Sequence, residues 1–404
     1  VLEAFRGSPA FVRLWLGALI SGLGDGLTWI ALQWLILERT NDSGAAVGAV
    51  LLCFALPALL TGAPIGRLVD RFGPVPVMVV DNAARAVVVA LIPFLDALGA
   101  LEVWHIFALA ALAGAMLPAS QVGLRALTPR LVPDQGLEGA NRALALTWQI
   151  GTVGPPVLAG ALIDAFGASS ALWVDAVSFL VFALLLVGVP NARAQARDGL
   201  LRAHTGFRAL REYPAMLGLV GLTVAFYATY GPLESALPIF TKLELGGGAR
   251  DYGFLWTLGG LGTMAGNLLG GGLKRFRVGV VLPSITLLWG VLQCTLAFAP
   301  SLGFVMAWMF TSGIVWGPYL ALEATALQRL IPQSVQGRVF GARLAIVGPS
   351  APIGTALGGL MLLGLSSRWV IGLSALACVM AGVVGLASPR LRDLERSFVQ
   401  ETRV

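Results

Sequence analysis

Runs of about twenty apolar residues recur from end to end of this 404-residue chain, separated only by short charged or glycine- and proline-rich punctuation. A soluble core has no room for so many of them. Hydrophobic residues make up 57% of the chain and charged residues 12%, and the mean hydropathy is +0.83. A soluble domain carries roughly 25% charged residues. Helices of roughly 20 apolar residues span the hydrocarbon core of a bilayer, so the sequence reads as an all-α, multi-pass membrane protein. The 51 glycines agree with this, because small residues let membrane helices approach where hydrophobicity no longer drives association.

Apolar runs divided at charges and at Gly/Pro give twelve expected transmembrane helices, near 11–37, 45–66, 74–98, 103–126, 139–163, 168–190, 213–240, 251–273, 278–299, 302–327, 338–364 and 367–388. With both termini in the cytoplasm, only five of the 27 Lys and Arg leave that side. Arg39, Lys242, Arg250 and Arg368 then face outside and Arg85 lies within a span, as the positive-inside rule favours. The longest cytoplasmic loop, 191–212, holds Arg193, Arg197, Arg202, Arg208 and Arg211. It divides the chain into an N-terminal bundle over 1–190, a linker over 191–212, and a C-terminal bundle with a short cytoplasmic tail over 213–404. The halves echo one another. Arg130-Leu-Val-Pro133 followed by Gly139 returns as Arg329-Leu-Ile-Pro332 followed by Gly337. Ala159-Gly160 returns as Gly358-Gly359, and Asp70-Arg71-Phe72 as Lys274-Arg275-Phe276. Two parallel, pseudo-symmetric six-helix bundles follow. The first apolar segment is too long for a cleaved leader and runs past Asp25, so none is expected.

Between the second and third segments lies the octapeptide Gly66-Arg67-Leu68-Val69-Asp70-Arg71-Phe72-Gly73, whose charges require water and a turn. It resembles the loop G-x-L-x-D-R-x-G of the major facilitator superfamily. Gly24-Asp25-Gly26-Leu27-Thr28, the stretch Asp81 to Arg85, and Arg329-Leu-Ile-Pro332 through Gly337-Arg338-Val339-Phe340 resemble its macrolide-efflux and enterobactin-export subgroup. Gly151, Gly154, Pro155 and Gly160 resemble the glycine–proline motif of its antiporters with altered spacing. Pro74-Val75 stands where the loop motif often continues with basic residues, and the fourth span lacks the buried arginine of many drug–proton antiporters. The resemblance implies the major facilitator fold and alternating access. It implies a gate in which Asp70 meets the N-terminal end of the eleventh helix, whose dipole favours a carboxylate. Arg338 would add a charge-assisted bond, Arg71 would flank Asp70, and Gly66 and Gly73 would permit the tight turn.

Acids inside the bilayer mark candidate chemistry, since an Asp at mid-helix costs about 2.5–3.5 kcal/mol on insertion scales. Asp25, Trp29 and Gln33 recur every four residues on one helix face. They either line a substrate path or satisfy polar groups of a neighbouring helix. Tyr227, Tyr230 and Glu234 share a face of the seventh segment, which Gly231-Pro232 and Pro238 interrupt. Trp316, Tyr319 and Glu323 repeat that spacing in the tenth. Aromatic stripes of this kind serve packing as readily as binding, and the closing acid makes them candidates for substrate and proton sites. A proton and a cationic or polar substrate can compete for one carboxylate, at Asp25 or Glu234.

Asp81 and Arg85, four apart, read as a structural ion pair on one helix. Asp164 reads as solvated near the outer surface, and Asp175 receives no role. His105 and His204 have no ligand partners nearby in sequence, so no metal site is expected. Cys53, Cys294 and Cys378 lie singly in apolar stretches and read as packing. The net charge of +6 is spread over many short loops, which gives no nucleic-acid surface. No phosphate-binding G-x-x-x-x-G-K-[ST], His-Glu-x-x-His or nucleophile-elbow sequence occurs, so neither a cofactor nor an enzyme activity is expected. The reading is a proton-coupled secondary exporter of a small drug- or siderophore-like molecule, a monomer in a bacterial-type inner membrane, with protons and lipid as its other partners. Uptake, facilitated diffusion or a lipid-like substrate on the same fold remain open, as do a membrane enzyme and a non-transporting sensor.

Overall fold

The computed structural model describes residues 5, 7–191, 214–330 and 333–392, without side chains at 214–215, 274, 329–330, 333–335, 337–338 and 390. Each expected segment forms one helix or a helix interrupted once, and no strand occurs among the described residues. In the N-terminal half these are α1 (Pro9–Arg39), α2 (Gly44–Phe72), α3 (Pro74–Ala97), α4 (Val103–Met116), α5 (Pro118–Leu131), α6 (Asp134–Phe166) and α7 (Ser170–Leu186). The C-terminal half holds α8 (Pro214–Ile239), α9 (Ala249–Leu269), α10 (Val278–Leu296), α11 (Leu302–Trp316) and α12 (Pro318–Leu330). It ends with α13 (Gln333–Val347), α14 (Ser350–Met361), α15 (Ser367–Ala387) and the short α16 (Pro389–Arg392). A π-helical turn, Phe240–Glu244, extends α8, and a 3₁₀ turn, Gly270–Arg275, extends α9. Ten of these rods are long and apolar enough to cross a bilayer, and α7 is a shorter apolar helix of 17 residues.

Local chemistry sets the ends. Ser8, Ser43 and Ser301 accept from the amides of Phe11, Ala46 and Phe304 at 3.1, 3.3 and 3.4 Å, which satisfies orphan donors of the first turn. Pro118 and Pro318 interrupt the fourth and tenth rods two residues after α4 and α11 end, because proline offers no amide to the preceding turn. Pro57, Pro64 and Pro93 lie inside α2 and α3 without breaking them.

The octapeptide corrects one expectation. Helix α2 continues through Gly66 to Phe72, and the chain turns on Gly73 alone, at φ 87° and ψ 158°. That region is essentially restricted to glycine. A Cβ on Gly66 would meet open space, so Gly66 is a helical residue and not part of the turn.

The chain divides into two compact units, residues 1–197 with 247–257, and residues 198–246 with 258–404. In the first, α1 packs along α6 and α7, α3 along α7, and α2 along α4. In the second, α8 packs along α14 and α15, and α10 along α15. These pairings repeat with an offset of six spans. Close approach repeats too: a Cβ on Gly114 of α4 would strike the Phe54 carbonyl of α2, and one on Gly262 of α9 would strike the Phe310 carbonyl of α11. The start of α9 belongs to the first unit, although the sequence assigns all of 213–404 to the second half. Gly253 lies against the Pro156 carbonyl, Gly160 lies against that of Ala249, and the Thr257 hydroxyl donates to Val153 O at 2.7 Å.

Candidate functional site

Four charged side chains gather inside the first unit. Arg85 of α3, with a side chain 2% exposed, donates to Asp25 of α1 at 2.6 Å, while Asp25 keeps 35% of its side-chain exposure. The guanidinium carbon also stands 3.9 Å from the ring centroid of Phe179, a cation–π contact in a desolvated setting. Asp175 of α7 is fully buried and accepts from Thr28 at 2.5 Å and Ser178 at 3.0 Å. Asp81 accepts from Ser120 at 3.0 Å, and Asn82 donates to that same hydroxyl oxygen at 3.0 Å. The expected pair of Asp81 with Arg85 does not form; Arg85 reaches across to α1 instead. A local i,i+4 pair lost to a partner on another helix, with Ser120 free to satisfy Asp81.

The first-helix motif now has a reason at each position. A Cβ on Gly24 would overlap the Asp175 carboxylate, and one on Gly26 would stand 2.7 Å from both Gly151 O and Pro155 Cβ. Asp25 holds Arg85, and Thr28 holds Asp175. Trp29 is half-buried against Phe54 at 6.3 Å. Gln33 shares its face but is sealed, donating to Trp29 O at 2.9 Å and accepting from Tyr252 at 2.8 Å. The sequence left Asp175 without a role. Its signal was an acid in the middle of an otherwise apolar 17-residue helix.

The second unit carries a different arrangement. Glu323 of α12 is held by Arg343 of α13 through two bonds, Nε to Oε1 at 2.9 Å and Nη2 to Oε2 at 2.5 Å. Thr223 donates to Glu323 Oε1 at 3.0 Å and lies 3.0 Å from the Tyr319 hydroxyl. Glu323 and Tyr319 are buried, so this end of the Trp316 stripe is an interhelical ion pair. Arg343 had no place in the sequence reading. Around Phe226, Trp316 stacks at 3.6 Å and Tyr230 at 6.0 Å, while Trp289 at 5.0 Å and Tyr227 at 5.6 Å meet it edge-on. Tyr227, Tyr230 and Trp316 are half-buried, while Phe226 and Trp289 are buried. Glu234 lies half-buried, accepts from Thr355 at 3.0 Å, and pairs with no cation among the described residues. Thus Tyr227, Tyr230 and Trp316 form one aromatic group, and Glu234 stands apart from Glu323 in its bonding.

At the end of α2, Asp70 and Arg71 are exposed, and Arg71 stacks on Phe72 at 5.1 Å, as Arg275 does on Phe276 at 4.9 Å. The Arg338 side chain and His204 lie outside the described residues. His105 accepts the Glu102 amide at 3.0 Å and caps α4. Asp164 is exposed. The three cysteines are free thiols.

The family model described as Major Facilitator Superfamily matches residues 14–273. Among curated proteins, the chain is 26% identical over 395 residues to "Multidrug efflux pump Tap" of Mycolicibacterium fortuitum, covering 94% of this chain and 95% of that one. It is 29% identical over 413 residues to the protein of the same name in Mycobacterium tuberculosis, covering 96% and 95%. Among solved structures it resembles the nucleoside transporter NupG, at TM-score 0.75 and 13% identity over 94% of this chain and 98% of that one. It also resembles a bacterial homologue of the human lysosomal transporter Spinster in an inward-facing conformation, at TM-score 0.73 and 17% identity over 97% of each.

Proposed function

The chain belongs to the Major Facilitator Superfamily, and on that premise we propose that it exports small organic molecules in exchange for protons, with Asp25, Arg85 and Asp175 as the coupling site. One observation carries the coupling: a single buried guanidinium has three intramembrane carboxylates around it, on α1, α3 and α7. Uncompensated charge in a membrane interior is expensive, and a buried cation left without its partner is more so. A proton or a cation relieves the negative excess. Asp25 is the member that stays partly exposed, so on this reading it exchanges the proton, while Asp175 and Asp81 keep Arg85 compensated. Protonating Asp25 removes its hold on Arg85 and loosens the contact of α1 with α3.

In the second unit Tyr227, Tyr230 and Trp316 suit the apolar body of a cargo, and Glu234, which pairs with no cation among the described residues, suits a positive or polar group. Export of drug-like molecules is supported by the name of the mycobacterial relatives. The gate on this reading is Asp70 with Arg71 in the last turn of α2, and Gly73 makes the turn into α3. Both termini face the cytoplasm, and one chain suffices.

The test uses purified protein in liposomes with ethidium as a fluorescent cationic probe. An imposed pH gradient drives probe movement in the wild type and fails to do so in Asp25→Asn. If Asp25→Asn keeps full gradient-dependent transport, the coupling mechanism is wrong. Equal flux with and without a gradient in the wild type means facilitation instead.

A further inference from the structure

Helix α2 ends at Phe72 and α3 begins at Pro74, so two helix termini meet across one residue. Terminal carbonyls and amides need partners from outside the helix. Pro74 has no amide to offer, which makes Val75 the first donor of α3. Both needs are met by one side chain. Asn191 Nδ2 donates to Phe72 O at 3.1 Å, and Asn191 Oδ1 accepts from the Val75 amide at 3.4 Å. A carboxamide is a neutral head that carries donor and acceptor side by side. Its position also explains Gly73 a second time, since a Cβ there would overlap the Asn191 carboxamide. Asn191 lies 116 residues from Val75 in sequence, after α7 and Pro190. The basic residues that often follow the loop motif are replaced here by Pro74-Val75.

We infer that Asn191 is a positioning residue of the gate: its carboxamide caps the end of α2 and the start of α3 together and thereby fixes the last turn of α2, which carries Asp70 and Arg71. The end of the sixth span supplies the tie that the motif's own sequence lacks. This assignment rests on the gate role proposed for Asp70.

The test uses the full chain in nanodiscs. Amide hydrogen exchange is followed over residues 66–80, and spin-label distances are measured across the cytoplasmic side, for Asn191→Ala, Asn191→Asp, Asp70→Asn and the Asp70→Asn/Asn191→Ala double variant. Losing two capping bonds speeds exchange over 66–80 by about tenfold, with α4 unchanged. Asn191→Asp keeps the acceptor and loses the donor, so its exchange falls between wild type and Asn191→Ala. Distances in Asn191→Ala shift in the same direction as in Asp70→Asn, and the double variant moves no further than Asp70→Asn. Unchanged exchange in Asn191→Ala overturns the capping role. Faster exchange with unchanged distances, while Asp70→Asn does shift them, overturns the positioning role and leaves the gate standing. Unchanged distances in Asp70→Asn itself remove the gate and with it the positioning role, while exchange over 66–80 separately decides whether Asn191 caps the turn.

Discussion

Gly24 and Thr28 in the first helix serve a carboxylate 147 residues beyond Thr28. Gly24 leaves the space that Asp175 fills, and Thr28 donates to it. Overpacking at such a point costs about 1–3 kcal/mol. Gly24→Ala therefore lowers the melting temperature in detergent and removes transport. Gly22→Ala, whose Cβ would stand 3.8 Å from Thr147, is tolerated on both readouts. Glu323→Gln leaves Arg343 without its carboxylate, and breaking a buried pair costs about 3–5 kcal/mol, to be read as a loss of thermal stability. Helical spacing made Asp25, Glu234 and Glu323 visible as membrane acids, because residues of one face can be counted along one segment. It could not show that Arg343 holds Glu323, that Arg85 chooses Asp25 over Asp81, or that Asn191 sits at Gly73. Those choices depend on which other helix faces each side chain.

Among elements, the sequence marks where apolar runs begin and end but does not distinguish one proline from another. Pro57, Pro64 and Pro93 stay within continuous helices, whereas Pro118 and Pro318 separate α4 from α5 and α11 from α12. A break needs a local arrangement that re-satisfies the freed backbone groups, and that arrangement is tertiary. Glycines behave likewise. Gly262 lies against the Phe310 backbone, while Gly271 has open space at its Cβ position. Gly262→Ala pushes α9 away from α11 and lowers stability by about 1–3 kcal/mol, measured by thermal denaturation. Gly271→Ala leaves the melting temperature unchanged or slightly raised. The repeated pairing of helices in the two units was legible beforehand only as short echoes such as Arg71-Phe72 and Arg275-Phe276, which stack alike.

At the scale of the whole molecule, the family and the multi-pass helical fold are the most legible layer, because apolar length and a charged loop motif are written directly in the chain. Coupling is a property of the whole transport cycle, and it separates experimentally from cargo binding. A carrier that has lost its proton site can still swap cargo for cargo, whereas accumulation against a gradient requires the proton. The measurement that bears most directly on the account therefore compares two modes in the same liposomes: ethidium-for-ethidium exchange without a pH gradient, and ethidium accumulation driven by one. The coupling site proposed at Asp25, Arg85 and Asp175 predicts that Asp25→Asn keeps exchange near the wild-type rate and loses gradient-driven accumulation. Accumulation that persists at the wild-type level in Asp25→Asn would contradict it.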